Sequence, residues 1–132
     1  MDRPPYRVMV VDDEADFLET LVRRLEKRQV EVVGVPGGRE ALEVLSQRPV
    51  DVVILDVRMP GMDGLEVLQE IKKRWPLVEV ILLTGHASVE SGLQGMELGA
   101  FDYVMKPCKL TELLPKIELA YERKCLREKA LQ

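Results

Sequence analysis

The chain has 132 residues, of which 46% are hydrophobic and 32% charged, with a formal net charge of −4. That length supports one core-bearing domain without room for a second, and net acidity with scattered Lys and Arg gives no electrostatic footprint for direct nucleic-acid binding. The apolar runs are strand-sized and Met1-Asp2-Arg3-Pro4-Pro5 holds no apolar signal segment, so a cytoplasmic protein without membrane association is expected, and Cys108 and Cys125, far apart in sequence, read as free thiols.

Taken in order, Tyr6 to Val11 is a strand ending in Asp12, Asp13 and Glu14. Phe17, Leu18, Leu21, Val22 and Leu25 then recur on one helical face from Ala15 to Arg28. Taken alone, the acidic triplet reads as N-capping of that helix. Val30 to Val35 is a second strand, broken by Pro36-Gly37-Gly38 before a short helix carrying Ala41, Leu42, Val44 and Leu45.

The next stretch, Val52-Val53-Ile54-Leu55-Asp56, does not alternate with polar residues, as expected of a strand covered on both faces of a parallel sheet. Met59-Pro60-Gly61 and Asp63-Gly64 turn the chain, so Asp56 falls at the carboxyl end of a central strand, where open α/β sheets place their ligand crevice. Leu65, Leu68, Ile71 and Trp75 mark a third helix closed by Pro76, and Val78 to Thr84 is a fourth strand. Val89, Leu93 and Met96 give helical spacing up to Leu98, diluted by Gly92, Gly95 and Gly99, so this helix is expected to be the loosest. Phe101 to Met105 is a fifth strand, followed by Lys106-Pro107. The last helix is expected to start near Thr111, which can cap and would place Pro115 in the first turn.

Five β-α units with short links predict a parallel sheet covered by helices on both faces. Parallel strands bring their carboxyl ends to one edge, so Asp12/Asp13, Asp56, Thr84 and Lys106 converge. Singly, each has a plain reading as a turn Asp, a strand Thr or a solvated Lys; jointly, four coincidences would have to meet at one edge. Crowded carboxylates repel unless a cation shares their site, and an oxygen-only donor set favours Mg²⁺. A carboxylate beside such an ion, a fixed Lys and a hydroxyl can be a nucleophile toward a phosphoryl group, with Asp56 the better nucleophile and Asp12 and Asp13 suited to holding metal.

Val10-Val11-Asp12-Asp13-Glu14, Ile54 to Gly64, Leu83-Thr84-Gly85-His86-Ala87 and Gly99 to Pro107 together resemble the receiver domains of two-component response regulators, over roughly Tyr6 to Ala120. The resemblance implies a flavodoxin-like (βα)5 sandwich with strand order 2-1-3-4-5. It implies phosphorylation of Asp56, Mg²⁺ bound by Asp13, Asp56 and the Arg58 carbonyl with Asp12 helping through water, and Thr84 and Lys106 holding the phosphoryl group. It further implies Tyr103 as the switch aromatic partnered with Thr84, and a cis Lys106-Pro107 bond. Cys108 departs from the family's frequent Phe after Lys-Pro.

On this reading residues 1–120 are the receiver and 121–132 a charged helical extension, either a solvated tail, a dimerising segment or a linker to an output domain. The implied partners are a sensor histidine kinase or phosphotransfer protein and a downstream effector or output domain, with a phosphorylation-dependent homodimer also open. The signal would leave through the face of the Gly-rich helix, the fifth strand and the last helix. Arg58 and His86 are expected to flank the path of water to the aspartyl phosphate. An Asp-nucleophile phosphatase is disfavoured because Arg58, not a second Asp, stands two residues after Asp56. A receiver-like interaction module working without phosphorylation is disfavoured by the complete set of Asp12, Asp13, Asp56, Thr84 and Lys106.

Overall fold

The computed structural model describes residues 4–85 and 89–132. The elements run β1 (Arg7–Val11), α1 (Ala15–Lys27), β2 (Glu31–Val35), α2 (Gly38–Gln47), β3 (Val52–Asp56), α3 (Gly64–Arg74), β4 (Glu79–Thr84), α4 (Val89–Glu97), β5 (Asp102–Met105) and α5 (Leu110–Ala130). All five strands are parallel in the order β2-β1-β3-β4-β5, the flavodoxin-like sheet the sequence predicted. Among the described residues no helix is long and apolar enough to cross a membrane.

The sheet is buried on both sides, and the two-residue period of its strands divides the core. Met9, Val11, Val53, Leu55, Val80 and Leu82 face Ala41 and Leu45 of α2 and Val67, Leu68 and Ile71 of α3. Val8, Val10, Val52, Ile54, Ile81 and Leu83 face Leu21 and Leu25 of α1 and Leu113, Ile117 and Ala120 of α5. Every residue of β3 and β4 is buried, which explains their lack of polar alternation.

Two helices depart from expectation. α5 begins at Leu110, with Lys109 as N-cap and no side-chain cap bond, so Thr111 is not the cap and Pro115 lies inside the helix. Burial of Leu113 and Ile117 against the sheet starts the helix earlier than capping chemistry alone would. In α4 the apolar stripe faces the wrong way: Leu93 and Met96 are exposed, and the buried face carries Gly92 and Gly95. A Cβ on Gly95 would sit 2.0 Å from Leu82 Cδ1, so the glycines that weaken the helix are also what lets it lie close on β4.

The bend after β3 depends on Gly64, whose N–H donates to the Val57 carbonyl at 2.8 Å. A Cβ there would meet the Asp56 carbonyl oxygen at 2.3 Å and Val57 Cα at 2.6 Å, both backbone atoms that cannot swing aside. Asp63 completes the start of α3, its side chain accepting the Glu66 N–H at 3.0 Å. Gly64→Ala is therefore expected to lower stability by about 1–3 kcal/mol, measured by urea denaturation; an unchanged midpoint would show that the approach of α3 to Asp56 is not tight.

Candidate phosphoryl-transfer and metal site

The site forms where β1, β3, β4 and β5 end. Asp56 is the last residue of β3 and only 6% exposed; Asp12 follows β1 and is fully buried. Asp13 is exposed, yet one oxygen from each of Asp12, Asp13 and Asp56 lies within 4.8 Å of the others. Asp12 is held by its backbone N–H donating to the Val35 carbonyl at 3.1 Å, and its Oδ1 accepts the Glu14 N–H at 2.8 Å. One carboxylate of the triplet thus does serve the start of α1, whereas Glu14, the N-cap residue, makes no side-chain cap bond.

Lys106 is the cation of the site. Its Nζ lies 2.7 Å from Asp12 Oδ2, 2.7 Å from Glu14 Oε1 and 3.6 Å from Asp56 Oδ2, and 4.5 Å above the Phe17 ring. Its own N–H donates to the Thr84 carbonyl at 2.7 Å, tying the lysine backbone to the end of β4. The Lys106-Pro107 bond is cis, as the resemblance implied. Although burial works against the ammonium, its close contacts with the Asp12 and Glu14 carboxylates and the charge of Asp56 prevail and hold its pKa above the usual lysine value.

The structure gathers Asp12, Asp13, Asp56 and Lys106 into one contact group and sets Thr84 beside it. Fully buried, Thr84 turns its hydroxyl to the Met105 sulfur at 3.6 Å. It shares strand parity with Leu82, on the α4 side of the sheet, whereas Asp56 shares parity with Ile54 on the α1/α5 side. A Cβ on Gly92 would lie 3.0 Å from the Tyr103 ring and 3.4 Å from the Thr84 methyl, so both meet α4 at one point. Arg58 is exposed, and its N–H donates to Asp56 Oδ1 at 3.3 Å. His86 lies outside the described residues. Glu14 and Phe17 were missed as partners of Lys106; the only hint was Glu14's place directly after the acidic pair.

These residues fit a hard divalent cation. The donors are all carboxylate oxygens, and Asp12 Oδ2 is buried with an ion pair to Lys106 but no well-directed hydrogen bond. Burial, reinforced by the charge of Asp12, pushes the Asp56 carboxyl up to about 6 against the opposing pull of Lys106 and the Arg58 N–H. The folded chain therefore retains a proton on Asp56 at pH values where the unfolded chain, near 3.8, has released it. Stability contributed by this group is present below pH 3.8 and is lost as pH rises toward 6. With chelator present, Asp56→Asn is expected to be more stable than wild type by about 1–3 kcal/mol at pH 7.5, with the gain vanishing near pH 4. Denaturation at the two pH values checks this, and equal stability at pH 7.5 would remove the proposed strain.

The model of the response regulator receiver domain family matches residues 8–118. The chain is 38% identical over 113 residues to the DNA-binding transcriptional regulator NtrC of Escherichia coli (strain K12), covering 86% of this chain and 24% of that protein. It is 36% identical over 117 residues to a putative response regulator, NtrX-like, of Rickettsia bellii, covering 87% and 24%. Thus it spans about a quarter of the length of these relatives. Among solved structures, a receiver domain protein from Clostridium thermocellum superposes with a TM-score of 0.88 at 36% identity, covering 92% of this chain and 98% of that one. NtrX from Brucella abortus gives a TM-score of 0.88 at 31% identity, covering 95% and 28%. The chain belongs to the response regulator receiver domain family.

Proposed function

We propose that the chain is a phosphorylation-controlled switch that accepts a phosphoryl group on Asp56 from the phosphohistidine of a separate kinase or phosphotransfer protein. The observation that carries this reading is the buried Asp56 carboxylate with Lys106 Nζ at 3.6 Å and two further carboxylates within 4.8 Å. At neutral pH a group titrating at about 6 is mostly ionised and so available as a nucleophile. An Asp56 oxygen bonds to phosphorus as the P–N bond of the donor breaks, its electron pair leaving with the imidazole nitrogen. Lys106 then moves from its pairing with Asp12 and Glu14 toward the phosphoryl oxygens, and Thr84 donates its hydroxyl to another. Asp12, Asp13, Asp56 and the Arg58 carbonyl would hold Mg²⁺, which would supply charge neutralisation at the phosphoryl oxygens. Hydrolysis returns the carboxylate and releases inorganic phosphate.

Rotation of Thr84 away from Met105 is the start of the switch. Its methyl and the Tyr103 ring both fill the space beside Gly92 that a side chain would take, so moving one alters the seat of α4 on β4 and β5. Partners then read the α4-β5-α5 face, where Leu93 and Met96 are exposed. The downstream effector or output domain is a different unit, and this domain itself makes no contact with nucleic acid.

Intact mass after incubation with a small phosphodonor and Mg²⁺ tests the chemistry: one phosphoryl adduct is expected in wild type and none in Asp56→Asn or in wild type with chelator. An adduct mapped to Asp12 or Asp13 would overturn it. Amide exchange with and without a phosphoryl mimic tests the switch, with the largest change expected across residues 89–105; unchanged exchange there would separate phosphorylation from any movement of α4.

A further inference from the structure

The strongest group of charges outside the phosphoryl site lies at the opposite, amino-terminal edge of the sheet. Glu79, the first residue of β4, is fully buried, and Asp51, just before β3, is 9% exposed. They are neighbours in the sheet, the Glu79 N–H donating to the Asp51 carbonyl at 3.1 Å. Around the Glu79 carboxylate stand Arg123 Nε at 2.7 Å, Arg127 Nη1 at 3.6 Å and Lys72 Nζ at 3.6 Å. Lys124 Nζ lies 3.0 Å from Asp51 Oδ1 and also pairs with Glu128. Neither Glu79 oxygen has a well-directed hydrogen bond, so this carboxylate depends on those cations for its compensation.

Three of these cations come from the segment beyond Ala120, for which the sequence leaves open a solvated tail, a dimerising segment or a linker, and they have a place in the fold. The inward stripe of α5 runs Leu113, Ile117, Ala120, Lys124, Arg127, at steps of three and four. It is apolar where α5 covers the sheet and turns cationic where the helix overshoots its edge. At about 1.5 Å per helical residue and 3.3 Å per strand residue, the 21 residues of α5 outreach the 6 of β4. Tyr121 adds a ring contact to Tyr6 at 5.6 Å. Lys72 reaches Glu79 from α3, on the other face, while also donating to the Pro76 and Val78 carbonyls at 2.9 and 2.7 Å.

We infer that Asp51 and Glu79 form a docking site for a basic helical segment, occupied by this chain's own residues 121–130, and that the occupied site latches the far half of α5 to the sheet. Glu79 is the centre of the latch, joining α3 and α5 around the edge. The docked segment belongs to the receiver fold and is not a tail; with Lys124 turned inward and Arg123 and Arg127 reaching Glu79 from the rim, it carries Leu119 and Leu126 outward, 56% and 61% exposed.

Amide exchange on the full 132-residue chain tests this. In wild type the amides of 121–127 are expected to be protected to the same order as those of 113–120. Glu79→Gln, and separately Arg123→Gln with Arg127→Gln, should each speed exchange at 121–130 at least ~10-fold while 113–118 keep their protection. Gln matches Arg closely in helix propensity, so loss of protection in the arginine variant reports the lost ion pairs and not a weaker helix. If Glu79→Gln fails to fold, the surface arginine pair decides alone. Wild-type exchange at 121–127 near the unprotected rate, or no change in the arginine variant, would overturn the latch.

Discussion

The repulsion among Asp12, Asp13 and Asp56 is the constraint on which the rest of the structure depends. Two of the three are buried, and water cannot screen them as it would at a surface. Burial and Asp12 raise the Asp56 carboxyl to about 6 even against the pull of Lys106. Lys106 offsets part of this but stands 0.9 Å farther from Asp56 than from Asp12 (3.6 against 2.7 Å), with Glu14 holding it on the Asp12 side. The arrangement is unfavourable for the isolated protein and favourable for any group that brings positive charge or draws Lys106 across. An added cation would relieve this repulsion directly.

Positioning such a site takes the whole sheet. Each of its members sits at or just past a strand end, and the strands are locked in register by neighbours buried on both faces. The cross-links at the edge are backbone bonds: Asp12 N–H to Val35, Lys106 N–H to Thr84, and Val57 N–H to Leu83 at 3.1 Å. They hold the site rigid at its base, while Thr84 and Tyr103 meet α4 through a face of glycine. The acidic cluster is fixed by backbone bonds, whereas the helix beside it is seated on glycine, so the stiff and the loose parts of this edge adjoin.

Much of this was legible in the residues. The five strands, the edge position of Asp56 and the convergence of Asp12, Asp13 and Lys106 follow from unbroken apolar runs and β-α alternation, whereas the strand order came from the family resemblance. What was not legible arose where a local pattern has two solutions. The α4 spacing of Leu93 and Met96 suggests an inward face, but Gly92 and Gly95 occupy it because α4 must lie within van der Waals reach of Leu82 and Tyr103. Capping chemistry at Thr111 gave way to burial of Leu113 and Ile117. The fourth strand did carry a signal that passed unused: Glu79 is the one charge in Val78-Glu79-Val80-Ile81-Leu82-Leu83, and a charge in a strand covered on both faces requires partners.

Asp56 and Glu79 solve the same problem at opposite ends of neighbouring strands. Both are carboxylates in a parallel sheet, and burying either without compensation costs several kcal/mol. Glu79 receives three cations and two other carboxylates are not pressed against it, so its charge is satisfied within the chain. Asp56 shares one cation with Asp12 and Glu14 and faces two like charges, so its charge is not. The difference is one of allocation: Lys72, Arg123 and Arg127 are spent where the fold must be closed, and the opposite edge is left short of positive charge. Were the carboxylates equally compensated at both edges, Asp56 would have nothing left to gain from an added cation.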